Sequence, residues 1–135
     1  MIPTDRNKND RAECFRFVLH ERQAGSLQHI LRLENEKILK CWILPNGLPQ
    51  KAKEKCIAVT AKDCKTEMLY FCGSQPRKNK IPAEVKIKDS GYFELLNWSD
   101  VKIEFILNGS ENNGRYILVK FEKAGPGTWI IMKAD

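Results

Sequence analysis

The chain has 135 residues, 42% hydrophobic and 30% charged, which excludes a disordered polymer and suits one domain with a sizeable core. Its 23 lysines and arginines outnumber its 17 aspartates and glutamates, for a net charge of +6. That charge suits a polyanionic partner, and it equally suits a merely soluble basic surface.

Residues 1–12 are polar and charged and read as a flexible N-terminal arm, followed by a single domain over 13–135. The stretch MIPTDRNKND lacks the apolar segment of a signal peptide. No apolar run approaches the roughly 18 residues that a membrane helix needs. The expected location is the cytoplasm, with no membrane partner.

Alternation of apolar residues predicts strands over Glu13–His20 and Leu27–Leu33. Between them Glu21–Gly25 reads as a turn. Ile38–Leu44 is apolar on both faces, and Trp42 is its expected core anchor. Pro45–Lys55 reads as a loop bounded by two prolines. Further strands are expected at Cys56–Ala61, Met68–Cys72, Glu84–Lys88, Tyr92–Trp98, Val101–Leu107, Arg115–Phe121 and Trp129–Lys133. Gly73–Lys80 reads as an exposed basic loop, Asp89-Ser90-Gly91 as a turn, and Asn108–Gly114 as a hairpin turn. Eight to ten short, mostly antiparallel strands without a clear helix predict an all-β fold, a small closed or nearly closed β-barrel. Closing the sheet removes exposed edges.

Five cysteines, Cys14, Cys41, Cys56, Cys64 and Cys72, form no C-x-x-C pair. An odd count without a signal peptide argues against a disulfide framework, and most of these thiols are expected as small buried hydrophobes. Only His20 and His29 are available to join them, so a structural zinc site is not expected.

Ser26–Gly47 organises the rest of the chain. Within and around it stand Phe17-Val18, Leu27, Arg32-Leu33-Glu34, Leu39-x-x-Trp42 and Pro45-x-Gly47. Further on come Ala58-Val59, Asp63, Asp89–Tyr92, Lys102–Gly109, Gly114–Lys120 and Trp129–Lys133. In order and spacing these resemble the 3′-phosphoesterase domain of bacterial DNA ligase D and its stand-alone relatives, over residues 14–133. The resemblance implies a small β-barrel whose crevice holds a divalent metal, usually manganese, and which trims ribonucleosides and phosphates from 3′ ends.

Carried over residue by residue, the resemblance places the family's metal-binding His, His and Asp on Arg22, Gln28 and Ile30. Its phosphate-contacting Arg falls on Arg32 and is kept. Four other functional positions fall on Asn46, Cys56, Cys64 and Met68. A guanidinium cannot ligate a cation, an isoleucine has no donor, and a glutamine offers one neutral oxygen. No metal cofactor and no confident catalytic residue are therefore expected. A relocated site on His20 and Cys64, with Glu67, is the weak alternative. His29 lies one residue from the expected histidine, which in a strand turns it to the opposite face.

The residues expected to meet phosphate or nucleic acid are Arg32, Arg22, Gln28, Lys55, Arg77 and Lys78. For Arg32 a salt bridge to Glu34 or Glu104 is the structural alternative. Tyr70, Tyr92 and Trp98 are either base-stacking or core aromatics. Three functions remain open. The first is a catalytically degenerate module binding DNA or RNA 3′ ends or a DNA-repair partner. The second is a divergent metal-dependent 3′-phosphatase or 3′-ribonuclease, and the third is a protein-interaction scaffold.

Overall fold

A computed structural model describes residues 13–135; the expected arm, residues 1–12, lies outside the described residues. Nine strands follow one another: β1 (Glu13–Ala24), β2 (Ser26–Asn35), β3 (Ile38–Leu44), β4 (Lys55–Lys65), β5 (Gly73–Arg77), β6 (Lys80–Trp98), β7 (Lys102–Gly109), β8 (Asn113–Lys120) and β9 (Thr128–Lys133). Short 3-10 helices cover Thr66–Tyr70 and Glu122–Ala124. The sheet order is β1-β2-β3-β4-β9-β8-β7-β6-β5, and β1 also pairs with β6. Eight strands thus close an antiparallel barrel, and β5 is added to its outside edge. Among the described residues, no helix is long and apolar enough to cross a membrane.

Period-two alternation explains the closure. Phe17, Leu19, Leu31, Leu33, Trp42 and Leu44 point inward and meet Phe93, Phe105, Leu107, Tyr116 and Leu118 in the main core. The opposite faces of β1, β2 and β3 are buried as well. There Val18, Ile30, Leu39 and Cys41 join Leu69 of the first 3-10 helix in a second, smaller cluster. This explains why Ile38–Leu44 is apolar on both faces. One face lines the barrel, and the other lies beneath a short lid.

Four local expectations are corrected. Glu21–Ala24 continues β1, and the chain reverses only at Gly25, whose φ of +83° suits glycine. Met68–Cys72 is not a strand, since Thr66–Tyr70 forms the lid helix. The basic stretch Gly73–Lys80 is a β-hairpin rather than a loop. Asp89-Ser90-Gly91 lies inside the continuous strand β6, where a register shift opposite Leu19/His20 bends the strand.

Asp89 is buried and ties this bend to the β7–β8 loop. Its carboxylate accepts from the backbone N–H groups of Ser90 at 2.9 Å, Ser110 at 2.8 Å and Asn112 at 2.8 Å. The N–H of Glu111 and the side-chain amide of Asn112 donate to it too. A Cβ at Gly91 would stand 2.3 Å from the carbonyl oxygen of Asn108, and one at Gly109 would stand 2.5 Å from Asp89. Close backbone approach therefore requires both glycines.

Candidate functional site

The outer face of β1–β3 carries a ladder of side chains set by strand register. Val18 lies opposite Arg32, His20 opposite Ile30, and Arg22 opposite Gln28. Arg32 in turn lies opposite Cys41 on β3, and Leu39 opposite Cys64 on β4. The fold thus gathers Arg22, Gln28, Ile30, Arg32 and Cys64 on one surface, with Met68 against it. Asn46 lies in the exposed loop after β3. Cys56 packs against the main core and stands apart from this surface.

Arg32 is the centre of the group and only 6% exposed. Its Nε donates to Nδ1 of His20 at 3.0 Å. Its Nη1 donates to Sγ of Cys41 at 3.2 Å and to Sγ of Cys64 at 3.0 Å. Nη2 has no partner among the described residues. The two carboxylates considered for it are engaged elsewhere. Glu34 accepts from Arg16 Nη2 at 2.9 Å and from Arg16 Nε at 3.2 Å, and Glu104 pairs with Arg115. Among the described residues Arg32 has no carboxylate partner. A buried cation whose hydrogen-bond partners among the described residues are all neutral is costly.

His20 is fully buried, and both of its ring nitrogens are engaged. Nε2 lies 2.9 Å from the carbonyl oxygen of Phe71. A guanidinium only donates, so Nδ1 must accept and Nε2 must carry the proton, as the hydrogen-bond network assigns them. Burial pushes the His20 pKa down, the Phe71 carbonyl opposes this, and the Arg32 charge lowers it further. The ring is neutral at pH 7. Burial likewise pushes the Cys41 thiol up to about 11 despite the nearby guanidinium.

Arg22 is half-buried. Its Nε donates to Oε1 of Gln75 at 2.9 Å, and its Nη1 reaches Oε1 of Gln28 at 3.5 Å. Gln75 lies on β5, so the added hairpin borders the site. Arg77 and Lys78 follow at its tip, where Arg77 donates to the carbonyl of Ile81 at 2.8 Å. Lys55 begins β4, ten residues before Lys65 at the other end. Ala61 is the β4 residue opposite Cys41 and lies six residues on from Lys55, so Lys55 is roughly 20 Å along the strand from the level of Arg32, at about 3.3 Å per residue. Arg16 holds the lid in place, donating to Glu34 and to the hydroxyl of Tyr70.

These residues do not fit a hard divalent cation. Arg22 repels it, Ile30 has no donor, and His20 has no free lone pair. Both thiols nearest the site contact a guanidinium. Among the described residues, no group of three or more His, Cys, Asp or Glu is placed to hold a metal. The relocated alternative fares no better, because Arg32 stands between His20 and Cys64 and Glu67 is exposed. His29 turns away as its register requires, toward Glu21 and Gly47. Tyr70 and Tyr92 are exposed, while Trp98 packs against the main core. Cys41 was not anticipated in this role. The cross-strand pairing of Arg32 and Cys41 across the Glu36–Lys37 turn was the available signal.

Comparison with known proteins bears on the same region. Residues 20–120 match the profile of the DNA Ligase D 3′-phosphoesterase domain. The multifunctional non-homologous end joining protein LigD of Mycolicibacterium smegmatis is 34% identical over 116 residues. That alignment covers 78% of this chain and 15% of the relative. The Pseudomonas aeruginosa protein of the same name is 26% identical over 133 residues, covering 94% of this chain and 16% of the relative. The Mycobacterium bovis protein is 28% identical over 108 residues, covering 77% and 14%. The chain spans about one seventh of the length of these relatives. With the barrel, the order of its motifs and a profile match over most of its length, the chain belongs to the DNA ligase D 3′-phosphoesterase domain family.

Proposed function

We propose that this domain binds phosphate-bearing nucleic-acid 3′ ends through Arg32 and Arg22 and does not cleave them by metal-dependent chemistry. One observation carries this reading: Arg32 is a buried guanidinium with no carboxylate partner among the described residues, where the resemblance places a phosphate-contacting arginine. Its unengaged Nη2 is the group left to meet a phosphate oxygen. A charge-assisted bond to an oxyanion is stronger than the neutral contacts it now makes. Arg22, in place of a metal ligand, adds positive charge to the same face and helps exchange a metal-centred site for a cationic one. Gln28 orients Arg22, and Arg77 and Lys78 extend the charge toward the nucleic-acid backbone. Lys55 is too distant to share this phosphate and would contribute only to general attraction. A DNA-repair assembly is the natural context, since the named relatives are end-joining proteins.

A primer-template ending in a 3′-phosphate or a 3′-ribonucleotide, offered with and without manganese, tests this reading. The expected result is salt-sensitive binding without turnover in either condition. Release of phosphate or nucleoside that requires manganese would establish the divergent enzyme instead. Absence of binding would leave the interaction scaffold.

A further inference from the structure

Cys41 and Cys64 share one nitrogen. Nη1 of Arg32 donates to Sγ of Cys41 at 3.2 Å and to Sγ of Cys64 at 3.0 Å. The two sulfurs therefore stand side by side on the outer face of the sheet. The Cys41 thiol is pushed up to about 11, first by burial and also by Cys64, as expected of sulfurs in direct contact. Among the described residues, no other two cysteines share a hydrogen-bond partner.

Register explains the meeting. Cys41 pairs with Ala61 and Leu39 pairs with Cys64, and β4 carries one residue more than β3 between these pairs. The bulge brings Cys64 to the diagonal position beside Cys41. Their exposures differ. Cys41 is 2% exposed, whereas Cys64 is half-buried, two residues before the lid helix. An accessible thiol with a second thiol beside it is the arrangement of a redox-sensing pair.

We infer that Cys41 and Cys64 form a reversible oxidation site, in which hydrogen peroxide joins the two thiols as an intramolecular disulfide beside Arg32. Cys64, the accessible member, reacts first as its thiolate and attacks one oxygen of the peroxide. The S–O bond forms, the O–O bond breaks, and the leaving oxygen takes up the thiol proton and departs as water. Cys64 is then a sulfenic acid, oxidised by two electrons. The sulfur of Cys41 attacks that of Cys64. The S–S bond forms, the S–O bond breaks, and the second water carries away the Cys41 proton. Two thiols and one peroxide thus give one disulfide and two waters.

Diagonal strand neighbours have Cα atoms about 7–8 Å apart, beyond the usual disulfide span of about 4.4–6.8 Å. Closing the bond must draw β3 and β4 together at the bulge, which makes it easy to reduce. It also removes the S–H groups that reach the carbonyls of Leu39 and Lys62, so the setting of Arg32 changes with oxidation. The site stands on the sulfur geometry and holds whether or not Arg32 meets phosphate.

Peroxide treatment of the full folded chain tests it. After exposure to stoichiometric hydrogen peroxide, free thiols are blocked with N-ethylmaleimide as the chain is denatured, and it is digested without reduction for mass spectrometry. The expected result is a linked Cys41–Cys64 peptide pair as the main product, an intact mass lower by two hydrogens, and recovery of both thiols with glutathione. In Cys41→Ser the linked pair should vanish, and dimedone should capture Cys64 as a sulfenic acid. Three results overturn the inference. Cys64 carried to sulfinic acid while Cys41 stays free shows that the two sulfurs do not meet. Disulfides through Cys14 or Cys72, or between chains, in preference to this pair show surface chemistry only. Cys41 and Cys64 both left unmodified show that the pair is closed to peroxide. The experiment contains no phosphate or nucleic acid, so its outcome is independent of the binding proposed for Arg32.

Discussion

Arg32 donates its Nε proton to Nδ1 of His20 at 3.0 Å, joining a buried cation to a buried neutral ring. The contact fixes the tautomer of the histidine and uses the lone pair that a metal would need. Neighbouring Arg22 and Ile30 bring no ligand to replace it, and Gln28 offers one neutral oxygen. The family's barrel is kept, and the outer face of β1–β3 carries two guanidinium groups, Arg22 and Arg32.

This pairing has a pH signature. The folded pKa of His20 is lowered, first by burial, so the unfolded chain takes up a proton before the folded one does. Stability is then full above the ordinary histidine value of about 6.5 and declines as pH falls from there through the folded value. The slope should approach at most about 1.4 kcal/mol per pH unit for this one group. Urea unfolding between pH 7.5 and about 5 checks it, and His20→Gln should remove most of the slope.

Arg32→Met should separate binding from stability. The apolar chain fills similar space beside Val18 and Cys41 and removes a buried charge. Replacing buried charge by packed apolar groups is often neutral or stabilising. Thermal unfolding should shift little or upward, while affinity for inorganic phosphate falls about 10-fold or more. Arg32→Ala leaves a void as well and should lower stability by about 2 kcal/mol.

Asp89 predicts a structural loss of a different kind. Burial alone would raise its pKa, but donors from Asn112, Ser110 and Glu111 outweigh this and hold it below the usual carboxylate range. Its contribution is present above about pH 3.9 and is lost as pH falls through the lower folded value. Asp89→Ala leaves those donors unpaired and should cost about 2–4 kcal/mol in denaturant unfolding at pH 7.

The β2–β3 turn offers a gain. Glu36 and Lys37 sit at φ +51° and +71°, a conformation suited to Asn-Gly in a two-residue hairpin loop. The paired change Glu36→Asn with Lys37→Gly should raise stability by about 1 kcal/mol. A higher midpoint with an unchanged m-value would show it.

The barrel was legible because alternation along Phe15–Leu19, Leu27–Leu33 and Val101–Leu107 fixes which side chains point inward. The lid was not. Met68–Cys72 has the composition of a strand, but tertiary packing of Leu69 onto Val18 and Leu39 favours one helical turn. The Asp89 bend was misread because Asp-Ser-Gly is turn chemistry, and here those residues serve a bulged strand and a carboxylate cap. The site face followed in part from the parity of Gln28, Ile30 and Arg32 on one strand; Arg22 joined them only through the resemblance, because Glu21–Gly25 reads as a turn. Cys41 and the His20 contact did not follow, since they depend on cross-strand register and on the carbonyl of Phe71. That Arg32 meets no carboxylate among the described residues depends on Arg16 and Arg115 taking Glu34 and Glu104, which the cross-strand arrangement decides.

The most direct measurement is the affinity of one duplex ending in a 3′-phosphate against the same duplex ending in a 3′-hydroxyl, by fluorescence anisotropy with the metal chelated. The expected result is tighter binding of the phosphorylated end by about 10-fold, a preference worth about 1.4 kcal/mol, which Arg32→Met abolishes. Equal affinity for the two ends, or a preference that survives in Arg32→Met, would contradict the proposed role of Arg32.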